Sequence, residues 1–168
     1  MAGNATIGTP LNLHQTQFMT TIRDFMAQDH LHCDEVLAPA ERLAIDQNWD
    51  AAAAAFTHFK TLVLQHFNAE ETLLFPAFEE RTGMHMGPTQ AMRGEHVQMR
   101  QLMDAASAAL VEMDGDDYAG YTETLLIMMQ QHNMKEESML YPMCDQYLSD
   151  QTSVLLPKLQ ALLPGTAT

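Results

Sequence analysis

Eight histidines stand among the 168 residues, and four of them recur at a fixed interval together with carboxylates. Sliding the sequence along itself by 66 residues lays Asp29-His30 on Glu95-His96 and His66 on His132. The same shift lays Glu70-Glu71 on Glu136-Glu137 and Leu74-Phe75-Pro76 on Leu140-Tyr141-Pro142. Each half therefore carries an acid–His pair and, 36 residues after that histidine, H-x-x-x-E-E-x-x-L-[FY]-P. Imidazole and carboxylate together suit iron, manganese or zinc. The candidate ligands are His30, His66, Glu70, His96, His132 and Glu136. Glu70 lies one turn after His66 and shares its helical stripe, as Glu136 does after His132. Glu71 and Glu137 fall about 100° further round and are expected to face away, with no role.

Burying two carboxylates among apolar helices is costly without compensating charge. A pair of cations, bridged by the carboxylates and flanked by imidazoles, supplies that charge. The competing reading is a duplication whose histidines only hydrogen-bond to the glutamates. His14, His32, His58 and His85 have no repeat partner and read as ordinary polar residues. Cys33, one turn after His30, reads as a small buried apolar side chain rather than a thiolate. A Cys33–Cys144 bridge is not expected, because Cys144 lies about 18 Å along its helix from His132. No nucleophile, acid or base constellation stands apart from these groups, so no catalytic residue is assigned.

The elements that must position these side chains are helices. The first is expected from about Thr20 to Ile45, kinked or shortened at Pro39. A tight turn over 46–50 leads to a second helix opening at Ala51, with Asp50 as its N-cap. A break at 81–88 precedes a third helix, and Asp114-Gly-Asp-Asp117 turns into a fourth that ends near Tyr147. The inner faces carry Met92, Met99, Met103 and Met113, then Tyr121, Leu125, Met128, Met129 and Met139, methionine serving as core filler. From His30 to Asp46 and from Asp50 to His66 the climbs are equal, about 24 Å each, so the two imidazoles end level; the second half repeats this. The expected fold is all-α, an up-down-up-down four-helix bundle with an internal two-fold repeat. A single domain spans 1–168, with the bundle at about 20–148 and a short C-terminal helix at about 151–163.

Eight Lys and Arg against 22 Asp and Glu leave a net charge of −14, which argues against nucleic acid as a partner. No run approaches the ~18 apolar residues of a membrane span. The first ten residues do not read as a secretory signal, and two cysteines make no disulfide framework, so a cytoplasmic location is expected.

At His30, His66-x-x-x-Glu70 with Leu74-Phe75-Pro76, His96, and His132-x-x-x-Glu136 with Leu140-Tyr141-Pro142, the chain resembles the hemerythrin-like (HHE cation-binding) family over about residues 20–148. The resemblance implies a non-haem di-iron centre with carboxylate bridges and an oxo or hydroxo bridge. His30 and His66 would hold one iron, His96 and His132 the other, and Glu70 and Glu136 would bridge. The oxygen carriers of the family place a further histidine one turn after His96, where this chain has Arg100. Four His and two Glu are closer to the bacterial repair-of-iron-centres branch. That implies a protein that binds or senses O2 or NO, or serves in iron and oxidative-stress handling, with its redox partner unidentified. The alternatives are a redox enzyme of that branch, reducing NO or peroxide or donating iron, and a metal-stabilised structural bundle with zinc or manganese. Arg100 is expected to pair with Asp34, its repeat equivalent one turn after His30, across the pseudo-two-fold axis, or with Glu70 or Glu136, and so to orient a ligand or close the pocket.

Overall fold

A computed structural model describes residues 21–167, and His14 lies outside them. Among the described residues all regular structure is helical. Helix α1 (Ile22–Ile45) starts at Thr21, whose hydroxyl accepts the Asp24 N–H, and runs through Pro39 without ending there. Helix α2 (Trp49–Ala69) begins one residue before Asp50, which lies in the first turn and is not its N-cap. Asn48 holds that place without a side-chain bond, because the chain has already reversed at Gln47, φ 57°. Helix α3 (Phe75–Thr82) ends at Gly83, whose φ of 71° suits a residue without Cβ. Helix α4 (Pro88–Glu112) is followed by Met113, φ 59°, and by α5 (Gly115–Lys135), capped by the Asp114 carboxylate on the Asp117 N–H. Helices α6 (Tyr141–Tyr147) and α7 (Thr152–Leu162) complete the chain, with a short 3-10 turn over Pro164–Ala167.

Two π-helical turns interrupt this pattern, Glu70–Leu74 after α2 and Glu136–Leu140 after α5. Each closes with an i→i+5 bond, Phe75 N–H to the Glu70 carbonyl and Tyr141 N–H to the Glu136 carbonyl. The next residue is Pro76 or Pro142, which has no N–H to continue the wider ladder, so the π segment stops after one turn. Both turns begin at the glutamates that follow the second histidine of each half.

Helix α1 packs on α2 and α5, α4 packs on α5 and α2, and α7 lies across α1 and α2. Two apolar clusters form inside. One, toward the α1–α2 and α4–α5 turns, holds Leu37, Phe56, Phe59, Met99, Met103 and Leu125. The other, toward α7, holds Phe25, Met26, Leu74, Phe78, Leu148 and Leu159. The polar side chains of the site lie between the two. Met113, Tyr121 and Met139, expected inside, are exposed, because Met113 leaves the helix in the left-handed turn and the other two lie on the outer faces. Cys33 and Cys144 are both buried free thiols. No described helix is long and apolar enough to cross a membrane.

Candidate metal centre

His30, His66, Glu70, His96, His132 and Glu136 converge in the middle of the bundle, each no more than 4% exposed. The imidazoles meet in pairs. Nε2 of His30 lies 3.1 Å from Nε2 of His66, and Nε2 of His96 lies 3.1 Å from Nε2 of His132. The carboxylates cross between the pairs. Glu70 Oε2 lies 3.6 Å from His66 Nε2 on its own helix and 3.3 Å from His96 Nε2 on α4. Glu136 Oε1 lies 3.2 Å from His132 Nε2, while its Oε2 lies 3.3 Å from His30 Nε2 on α1.

Behind the rings, every Nδ1 faces a carboxylate. His66 Nδ1 donates to Asp29 at 2.7 Å and His132 Nδ1 to Glu95 at 2.8 Å. His96 Nδ1 donates to Glu71 at 2.7 Å and His30 Nδ1 to Glu137 at 2.8 Å. These contacts fix each ring's tautomer and turn its Nε2 inward, the arrangement by which proteins hold imidazole ligands for a metal. Asp29, Glu71 and Glu95 are each held below the usual carboxylate range: burial opposes this, but the facing imidazole and, for Glu71 and Glu95, Arg100 and Lys135 outweigh it.

Glu71 and Glu137 thus do the opposite of what a uniform helical wheel suggests. A step of about 100° from Glu70 points a side chain at the seam with the neighbouring helix, not at solvent. The glutamate chain is long enough to reach across that seam to His96 or His30. Asp29, Glu95 and Tyr141 join the site beyond the six residues that the sequence marks. The acidic pairs did carry a legible signal, since both repeats keep an acid at each of these positions.

Arg100 does not meet Asp34, Glu70 or Glu136. Its guanidinium clasps Glu71 with two bonds of 2.9 Å and lies over the Phe67 ring, 5.2 Å from the centroid. It therefore reaches His96 through Glu71. Asp34 is exposed and, with His30 and Glu137, lines an open cavity of about 380 Å³ on the α1–α5 side.

The two halves of the site differ. Tyr141, where the first half has Phe75, places its hydroxyl 2.8 Å from Glu70 Oε1 and 3.0 Å from Glu136 Oε2, and 3.2 Å from His30 Nε2. On the other side Phe67 stacks on His96 with centroids 3.9 Å apart, and Phe75 lies parallel at 6.0 Å.

The donor set fits a metal. With Nδ1–H committed to a carboxylate, a neutral ring presents only a lone pair at Nε2, and two such lone pairs at 3.1 Å repel. A proton on one Nε2, or a cation against both, removes the repulsion. Glu70 Oε2 and Glu136 Oε1 are fully buried and accept no hydrogen bond among the described residues. Ligand atoms of Glu70, His96, His132 and Glu136 all lie within 4.8 Å of one another, as do those of His30, His66 and Glu136. Glu136 belongs to both groups, so the site is suited to two ions sharing a carboxylate.

Comparison with curated proteins and with solved structures returns no match. The family described as the hemerythrin HHE cation binding domain matches residues 21–144, from the cap of α1 into α6. With most of the chain matched and a buried His/Glu cluster that fits a metal site, this protein belongs to the hemerythrin HHE cation-binding family.

Proposed function

We propose that the centre holds two iron ions and that the protein binds or senses O2 or NO, or handles iron under oxidative stress. His30 and His66 hold one ion, His96 and His132 the other, and Glu70 and Glu136 span the two. The observation that carries this is the pairing of every Nδ1 with a carboxylate while all four Nε2 atoms turn inward onto the carboxylates of Glu70 and Glu136. Iron bound there supplies a redox-active Lewis-acid pair able to take up a diatomic molecule. The chain's own contribution is exclusion of bulk water by Phe67 and Phe75 and one hydroxyl donor, Tyr141, beside the bridging carboxylates.

The four-His two-Glu set, with Arg100 one turn after His96, supports placement near the repair-of-iron-centres branch. Element lengths support the duplicated up-down-up-down bundle: α2 and α5 have 21 residues each and stand 66 apart. Metal analysis of protein purified without oxygen tests the assignment, with about two irons per chain expected. Zinc alone, with no spectral response to O2 or NO, would leave a metal-stabilised bundle. Turnover of NO or peroxide with an added reductant would make the protein an enzyme.

A further inference from the structure

The repeat that places the candidate ligands also pairs the residues beside them, and the two seams it generates are built differently. At the α2–α4 seam Phe67, one residue after His66, stacks on His96 with centroids 3.9 Å apart, and the Arg100 guanidinium lies over the same ring at 5.2 Å. The counterpart of Phe67, 66 residues on, is Asn133, one residue after His132. Asn133 lies at the α1–α5 seam and lines the open cavity of about 380 Å³ with His30 and Glu137. No Phe, Tyr or Trp lines that cavity, and the counterpart of Arg100 on its wall is Asp34. One seam is thus plugged by a ring and a guanidinium, and the other is open.

Beside the open cavity lies a small inner pocket of about 10 Å³, room for one molecule of about water's size. His30 and His66 border it, with apolar walls from Val63, Phe67, Met99 and Met129 and the buried Cys33 thiol. Among the described residues only His30 and Asn133 line both spaces. Glu137 anchors His30 through Nδ1, so the movable part of the partition is Asn133. Its side chain is half-buried and makes no hydrogen bond among the described residues. It brings an N–H donor to a pocket whose other walls, apart from the two imidazoles, carry carbon and sulfur.

We propose that Asn133 controls which small molecules reach the centre, as the gate between the open cavity and the inner pocket and as hydrogen-bond donor to the molecule held there. The proposal rests on the di-iron reading above. The occupant has two or three heavy atoms and an acceptor end, as NO, O2 and azide have. The narrow pocket selects for size. The amide N–H favours an acceptor without adding a positive charge that would repel metal ions.

Cys33, on the wall of the inner pocket, reports the gate with no metal present. The metal-free full chain is treated with methylmercury, which replaces the thiol proton, and labelling of Cys33 and Cys144 is followed by mass spectrometry. Asn133→Phe, which copies the plug of the other half, should slow Cys33 labelling about tenfold, and Asn133→Ala should speed it by a similar factor. Cys144, which lines neither space, should keep its rate. In iron-loaded protein, azide binding is followed by stopped-flow absorption. Asn133→Phe should cut the association rate about tenfold; Asn133→Leu, similar in size but without a donor, should leave association unchanged and raise dissociation about tenfold. Unaltered Cys33 labelling in both variants, or parallel changes at Cys144, overturns the gate. Equal azide dissociation from wild type and Asn133→Leu overturns the donor role. Two irons per chain with no azide binding would overturn the proposal alone. Failure to load iron would overturn the di-iron reading, and Cys33 labelling would still decide the gate.

Discussion

The Glu71 carboxylate serves two partners at once. Its Oε1 takes the His96 Nδ1–H at 2.7 Å, and its two oxygens take the Arg100 guanidinium at 2.9 Å each. A residue expected to be idle thus links an arginine to an imidazole of the centre. Of the four carboxylates behind the rings, three have a second anchor: Arg100 on Glu71, Lys135 on Glu95 and Thr166 on Asp29. Glu137, on His30, has none from a side chain among the described residues, and it lines the open cavity on the α1–α5 side.

Removing these carboxylates should therefore weaken metal binding without removing a ligand. Glu71→Ala and Glu137→Ala are each expected to lower affinity about 10- to 100-fold. Glu71→Ala should be the more damaging, since it also frees the Arg100 charge beside the centre. Competition titrations against a chelator measure this. Wild-type affinity in both variants would show that the Nδ1 contacts orient nothing.

Much of this arrangement was legible because it repeats. The recurrence at 66 residues marks the candidate ligands and places them on long helices, and the lengths between them bring the four histidines level. What the repeat conceals lies in departures from a uniform helix and from symmetry. The π turns at Glu70 and Glu136 need hydrogen-bond geometry that no 3.6-residue periodicity encodes. The partner of Arg100 depends on which seam Glu71 enters, a question of helix packing rather than of spacing. The contact of Thr166 with Asp29 joins residues 137 apart, and Thr166 lies outside the repeated segments.

Tyr141 should matter most when metal is absent. Its hydroxyl is the donor shared by Glu70 Oε1 and Glu136 Oε2, and burial together with those carboxylates drives its own pKa well up, so it stays protonated. Tyr141→Phe leaves a buried carboxylate oxygen unpaired, at a cost of about 1–3 kcal/mol to the metal-free chain. Bound cations would supply the lost compensation, so the metal-loaded form should lose less. Denaturant midpoints of both forms decide this. An equal loss in the two would assign Tyr141 a packing role only.

The C-terminal turn is expected to tune the His66 side of the centre. Thr166 donates its hydroxyl to Asp29 Oδ1, and Asp29 Oδ2 holds His66 Nδ1 at 2.7 Å. Gly165 lies tight against His32, where an added Cβ would sit 2.9 Å from Nε2. Thr166→Val should weaken binding of one of the two ions and leave the other close to wild type, while Thr166→Ser restores both. Gly165→Ala should mimic Thr166→Val by displacing the turn. Stepwise cobalt titration followed in the visible range separates the two ions, and two unaltered steps in Thr166→Val would remove the link.

The metal-free chain should lose stability as the solution turns alkaline. Burial by itself would lower the His30 pKa, but Glu136 and Glu137 outweigh it and raise it from 6.5 to about 10. A raised pKa contributes stability that is complete below 6.5 and is lost as pH climbs toward 10. Glu136 has the opposite sign. Burial would raise its pKa, yet His132 and His30 hold it well below 4.5, so its contribution is present above 4.5 and is lost on acidification through the lowered value. For this pair the metal-free optimum therefore falls between 4.5 and 6.5. A metal at His30 Nε2 must displace the proton that the raised pKa keeps there, so binding releases protons and tightens as pH rises toward 10. Metal-free protein should then show a lower denaturant midpoint at pH 9 than at pH 6, with a smaller drop once metal is bound. In His30→Gln the alkaline decline should flatten. A metal-free chain more stable at pH 9 than at pH 6, or metal binding without proton release at pH 7 in buffers of different ionisation enthalpy, would contradict the charge state assigned to His30.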